Sequence, residues 1–194
     1  METIILASGS ERRREILEKL GIPFRVMVPQ VDESKYEGFG PRTQVTRLAE
    51  DKAGAILSLL DGEYPAWIAG FDTLVAIGGT ILGKPRNRDD ARRMIRLYSG
   101  RTHSVYSGIA IIYGKQHKLV SNYDVSKVRF RHMSEQEIEF YLDTGEWKNV
   151  AGAYRIQERA SFFIDRIKGS YSNIVGLPIS VFYAMLRDAN YTFS

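Results

Sequence analysis

Residues 3–20 read Thr3-Ile4-Ile5-Leu6-Ala7-Ser8-Gly9-Ser10-Glu11-Arg12-Arg13-Arg14-Glu15-Ile16-Leu17-Glu18-Lys19-Leu20, and the fold class is set by the pattern that they open. Thr3–Ala7 is an apolar run of strand length, and Ser8–Ser10 is a turn of small residues. Glu11–Leu20 predicts a helix with Ile16, Leu17 and Leu20 on one face, stopped by Gly21 and Pro23. Arg25–Val28 predicts a second strand.

Strands and helices go on mixing along the chain. The clearest helix is Arg42–Leu60, where Val45, Leu48, Ala49, Ala53, Ile56, Leu57 and Leu60 keep the 3.6-residue period. Ala66–Phe71, Leu74–Ile77 and Thr80–Leu82 predict short strands, with Gly78-Gly79 as a hairpin turn. Asp89–Tyr98 predicts a helix, and Val105–Tyr113 and Lys118–Phe130 predict long strands around a turn at Gly114. Ser134 and Glu137 form a capping-box pattern that opens a helix ending at Gly145. Ser161–Ile167 predicts a late strand, and Pro178–Arg187 a closing helix with proline in its first turn. The sum is one α/β domain over residues 1–194. A strict βαβαβ repeat is not visible, so a plain doubly wound fold is not expected.

Composition narrows the class. With 44% hydrophobic and 26% charged residues the chain has the makings of a globular core, which excludes disordered and fibrous classes. No apolar run reaches the roughly 18–20 residues of a membrane span, and Thr3–Ala7 meets charges too soon for a signal peptide. The absence of cysteine removes disulfides, thiolate metal sites and a cysteine nucleophile, and agrees with a cytoplasmic location. Lysine and arginine exceed the acids by 27 to 23, a small and dispersed excess. It suits an anionic small ligand better than nucleic acid, which calls for a concentrated basic stripe.

Four constellations carry chemistry. At Ser8–Arg14 a small-residue turn runs into a helix opening with three arginines. Cations are unfavourable in a first helical turn, whereas a phosphate there would meet backbone N–H groups, the helix dipole and guanidinium forks. The other reading is a surface helix whose arginines pair with Glu15 or Glu18. Lys52 falls on the apolar stripe of its helix, so it either snorkels or meets an anion. Asp72 interrupts an apolar run, as a strand-end metal ligand or general base, or as a turn residue bonding its own backbone. Lys84 stands on the rigid Gly83-Lys84-Pro85 turn. Finally, Asp32-Glu33 offers two carboxylates, and Mg²⁺ commonly uses only one or two. Walker A, G-x-G-x-x-G and G-x-S-x-G patterns are absent. His103, His117 and His132 are too far apart in sequence to suggest zinc.

In order and spacing these segments resemble the Maf family. The matching blocks are Leu6–Arg13, Val31–Ser34, Leu48–Ala53, Phe71–Thr73, Gly83–Pro85, Ser99–His103, Gly152–Gln157 and Gly169–Pro178, covering nearly the whole chain. The resemblance implies a mixed, twisted sheet flanked by helices, with two lobes around a deep cleft, similar to the inosine triphosphate pyrophosphatases. It implies hydrolysis of a nucleoside triphosphate between its α- and β-phosphates, and the Gly-Ala-Tyr-Arg-Ile-Gln block is similar to the branch acting on dTTP and UTP. Carried over residue by residue, Asp72 matches the catalytic base, and Arg12, Thr73 and Gln157 match positions tied to substrate choice. Ser8, Arg13, Glu33, Lys52 and Lys84 match the polar lining, with Ser8, Arg13, Lys52 and Lys84 expected on phosphates. A divalent cation, Mg²⁺ or Mn²⁺, is expected on Glu33 and Asp72. One mild departure is Ser107, where the family pattern leads one to expect threonine. The expected partner is the nucleotide alone, without nucleic acid or membrane, and a homodimer is left open.

Overall fold

The computed structural model describes residues 1–60 and 67–193. Strand β1 (Ile4–Ala7) leads into helix α1 (Glu11–Lys19), strand β2 (Phe24–Met27) and helix α2 (Pro41–Ser58). Strand β3 (Trp67–Ile77) turns into β4 (Thr80–Leu82), followed by helix α3 (Arg88–Tyr98). The long strands β5 (Thr102–Tyr113) and β6 (Lys118–Phe130) precede helix α4 (Glu135–Asp143). Strand β7 (Ile164–Lys168) and helices α5 (Tyr171–Val175) and α6 (Ile179–Asp188) close the chain.

The strands form one mixed sheet in the order β2-β1-β3-β5-β6-β7, with β4 on β3. β1 runs parallel to both β2 and β3, while β3–β4 and β6–β7 are antiparallel. Contrary to expectation, β1-α1-β2-α2-β3 is a parallel βαβαβ unit with order 2-1-3. The Gly78-Gly79 hairpin then reverses the chain directly after β3, so the repeat stops there. Both glycines have positive φ, 54° and 83°, the backbone that a tight two-residue turn requires.

Three other expectations change. The two short strands drawn on either side of Asp72 are one eleven-residue strand, β3, whose expected first residue, Ala66, lies outside the described residues. The late strand at Ser161–Ile167 is a 3-10 turn over Arg159–Phe163 followed by β7. Pro178 caps α6 from outside rather than occupying its first turn. The capping box holds: Ser134 and Glu137 exchange both bonds at the start of α4.

The chain divides into two compact units, one of Met1–Asp72, Ser107–Asp124 and Gly176–Ser194, the other of Thr73–Tyr106 and Val125–Val175. In the first unit, strand alternation sorts the core into two faces. Ile4, Leu6, Ala69, Phe71, Ile109 and Ile111 meet Leu17 of α1 and Phe182 and Leu186 of α6. Ile5, Ala7, Ile68, Ala110 and Ile112 meet Ala49, Ala53 and Ile56 of α2. Glycine lets α2 lie so close. A Cβ on Gly70 would stand 2.3 Å from the Ala49 carbonyl oxygen, and one on Gly108 2.1 Å from that of Val45.

The second unit buries Tyr98, His103, Phe130 and Tyr154 as one aromatic group, with the Tyr98 and His103 rings 4.2 Å apart. Arginines of α3 pair with acids of α4: Arg88 with Glu139 and Asp143, Arg92 with Glu139, and Arg96 with Glu135.

Candidate active site

The carboxyl end of β1 lies between β2 and β3, with Ala7 opposite Met27 and Gly70. In open α/β sheets this is where the connections diverge and ligands bind. Ser8 follows immediately, and Asp72 lies two residues beyond Gly70 on β3.

Alternation along β3 settles where Asp72 stands. Gly70 faces α2, so Asp72 belongs to the same face, and Phe71 points the other way into α1 and α6. Asp72 is therefore neither a strand end nor a turn residue. It is the sixth residue of an eleven-residue strand, following Ile68 and Gly70 on the face that packs against α2. Its partner comes from the matching oddity of α2. Lys52 lies on the inward stripe with Val45, Leu48, Ala49, Ala53 and Ile56, and its ammonium donates to Asp72 Oδ1 at 2.7 Å. Lysine and aspartate are 8% and 6% exposed, so each neutralises a charge that neither could bury alone. The snorkelling alternative for Lys52 is thereby set aside. Asp72 Oδ2 is buried without a hydrogen-bond partner among the described residues.

Lys52 also donates to Glu33 Oε1 at 2.8 Å. Glu33 opens a 3-10 turn, Glu33–Tyr36, that buries none of its residues. Two polar anchors set its course. Asp32 caps it, accepting from the Ser34 hydroxyl at 2.6 Å and from the Ser34 N–H at 2.9 Å, which hold the Asp32 carboxyl below its ordinary pKa. Asp51, next to Lys52 on α2, accepts from both Lys35 Nζ and Tyr36 Oη at 2.9 Å. Asp51, Lys35 and Tyr36 were not singled out from the sequence. The available signal was an acid beside Lys52, on the edge of its helix stripe.

The arginine triplet divides its roles. Arg14 pairs with Glu11 and Glu18, so the surface reading holds for it. Arg13 is buried, donating through Nε to the Gly176 carbonyl and through Nη1 to Ser8 Oγ, both at 2.9 Å. Burial pulls its pKa down to about 10; Asp72 and Glu33 oppose that shift and Arg12 adds to it. Ser8 Oγ also accepts the Ser10 N–H at 3.2 Å, which leaves the hydroxyl proton to donate. Helix α1 opens without a side-chain cap, and Arg12 is half-buried in its first turn. Ser8, Arg13, Glu33, Lys52 and Asp72 thus gather in the first unit.

Thr73, Lys84 and Gln157 belong to the second unit. Val75 faces Leu82 in the β3–β4 ladder, and Lys84 follows two residues after that ladder ends. Lys84 is exposed on its turn, beside a buried Pro85. The Gly83 carbonyl accepts the Gly152 N–H at 2.9 Å, tying the lysine turn to the segment that leads to Gln157. Gly152 and Ala153 are both left-handed, with φ of 73° and 62°. The Ala153 carbonyl accepts from Tyr141 Oη, and Tyr154 Oη bonds His103 Nε2 at 2.8 Å. These buried anchors present Gln157 in an exposed turn. Among the histidines, His103 is a buried structural group, as expected.

No group of three or more His, Asp or Glu side chains converges among the described residues. The two carboxylates that meet at Lys52 do fit a hard cation that completes its shell with water and phosphate. The buried oxygen of Asp72 without a partner is the observation in favour. No helix among the described residues is long and apolar enough to cross a membrane.

Comparison with known proteins gives the family of the chain. Residues 3–189 match the family described as Maf-like protein. A dTTP/UTP pyrophosphatase of Pelotomaculum thermopropionicum is 40% identical over 98% of both chains. One of Hahella chejuensis is 42% identical over 95% of this chain and 91% of its own, and one of Symbiobacterium thermophilum 43% over 98% and 96%. Among solved structures, the Staphylococcus aureus Ham1 protein aligns over 97% of this chain and 100% of its own, with a TM-score of 0.52 at 12% identity, a likeness of fold. The chain belongs to the Maf family.

Proposed function

We propose that this chain hydrolyses dTTP and UTP, and modified pyrimidine nucleotides of the same shape, to the nucleoside monophosphate and pyrophosphate. The observation that carries the reading is Asp72. It is a carboxylate buried inside a strand, beside the carboxyl end of β1, with one oxygen held by Lys52 and the other without a partner among the described residues. The names of relatives about 40% identical over almost their full length support the same activity.

In this reading Asp72 Oδ2 orients the attacking water and takes its proton. Ser8 Oγ–H donates to a phosphate oxygen, while Arg13, Lys52 and Lys84 offset charge that develops on the transferring and leaving phosphates. Glu33 and Asp72 are the side chains that would hold a divalent cation, Mg²⁺ or Mn²⁺, which when bound neutralises phosphate charge. Arg12 and Thr73 fix the nucleotide's orientation. Gln157, with one acceptor and two donors, pairs with the O4 and N3–H edge of uracil or thymine. A cysteine-free chain acting on free nucleotides suits the cytoplasm.

The test is a nucleotide panel assayed for pyrophosphate release with Mg²⁺. dTTP and UTP should lead in kcat/KM, with CTP, ATP and GTP far behind. Tight nucleotide binding without turnover would instead make the chain a sensor, and the reading would fall.

A further inference from the structure

The two carboxylates that fit a metal are already bridged by a cation belonging to the chain. Lys52 Nζ lies 2.8 Å from Glu33 and 2.7 Å from Asp72. We infer that Lys52 is an internal counter-cation, which keeps Glu33 and Asp72 from taking a divalent metal until a nucleotide arrives. This inference rests on the metal-assisted reading above.

Charge balance is the reason. Glu33 and Asp72 bring two negative charges, and Lys52 and Arg13 bring two positive ones; the Arg13 guanidinium feels both carboxylates. These four groups balance one another, Arg12 adds positive charge beside them, and three of the four are less than a tenth exposed. A divalent ion entering alone would have to share both carboxylates with the ammonium and leave uncompensated positive charge in a buried place. A triphosphate changes the sum. It brings several negative charges and a new partner for Lys52, whose flexible four-carbon stem lets the ammonium swing from carboxylate to phosphate without moving α2. Metal and nucleotide therefore enter together, and Lys52 is spent twice: on the carboxylates before binding, on phosphate after.

Removing the lysine separates the two duties. In Lys52→Met, Mn²⁺ titrated into the nucleotide-free protein, followed by electron paramagnetic resonance, should bind at least tenfold tighter than in the unsubstituted chain, while turnover with Mg²⁺ and dTTP falls at least tenfold. Equal or weaker Mn²⁺ binding in the variant overturns the inference. If Lys52→Met does not fold, Lys52→Gln serves in the same comparison. A measurement on the unsubstituted chain keeps the inference at risk independently. The ¹⁵Nζ resonance of Lys52 should be unmoved by Mg²⁺ alone and shifted by Mg²⁺ with a non-hydrolysable α,β-methylene analogue of dUTP; a shift with Mg²⁺ alone overturns it. Turnover unaffected by EDTA would instead overturn the metal-assisted reading itself.

Discussion

Lys52 Nζ and Asp72 Oδ1 are 2.7 Å apart, on a helix and a strand that touch through the bare backbone of Gly70. Each residue breaks the apolar pattern of its own element, and each is the reason the other is tolerated. A pair of this kind is weak evidence for stability, since packed apolar residues of equal volume commonly do as well. Its place in the first unit therefore points to chemistry.

Asp72→Asn keeps the shape and removes the charge. Lys52 retains Glu33 as a partner, so the circular dichroism spectrum should be unchanged. Turnover should fall by about 10²-fold or more, the scale of a lost general base. A variant keeping a third of the activity would take Asp72 out of the mechanism.

Gly70→Ala tests whether close approach of α2 to β3 sets the pair. The added Cβ would stand 2.3 Å from the Ala49 carbonyl oxygen and 2.9 Å from the Ala53 nitrogen, both of them backbone atoms. Forcing the helix away should cost about 1–3 kcal/mol in unfolding free energy, the usual scale for overpacking, and should lower activity by drawing Lys52 off Asp72. Full activity at unchanged stability would mean the contact is not needed.

His103 predicts the acid sensitivity of the fold. Burial drives its pKa down from 6.5 to about 3, so the folded chain holds it neutral. Below pH 6.5 the unfolded chain binds a proton that the folded chain refuses. Stability is therefore full above that pH and is lost as the pH falls toward 3, by up to about 1.4 kcal/mol per pH unit from this group. Urea titrations at pH 7, 6, 5 and 4 should show a smaller slope for His103→Gln than for the unsubstituted chain; equal slopes would contradict the assignment.

Much of this was legible from the residues. The run from Ile4 to Leu20 gives β1, the turn and α1, and the stripe of α2 placed Lys52 on the inward side before any partner was visible. Asp72 stood out as an acid in an apolar run, and its strand was cut in two there because an aspartate in such a run reads as a break. Tertiary pairing overrode that local preference: Lys52 neutralises the carboxylate. The parallel βαβαβ unit was missed since periodicity gives elements and not pairing. Helix α5, five residues long, carries too little periodicity to detect. The turn of Glu33 is held by Asp51, sixteen residues from Lys35, and an acid at the edge of a helix stripe does not say which distant segment it will hold.

Gln157→Glu tests base choice. The carboxylate loses the donor amide while keeping an acceptor, and should set a charge against the O4 of thymine. Discrimination of dTTP over GTP should narrow by about 10-fold, the equivalent of 1.4 kcal/mol. An unchanged ratio of kcat/KM values would remove Gln157 from substrate choice and leave the phosphate chemistry untouched.

The most direct measurement of the central claim is the identity of the products, followed by ³¹P nuclear magnetic resonance as the purified chain consumes dTTP with Mg²⁺. A site that holds the β- and γ-phosphates as one leaving group should give dTMP and pyrophosphate in equal amounts, with no dTDP along the way. Accumulation of dTDP and orthophosphate would place the cleavage at the wrong bond and contradict the account.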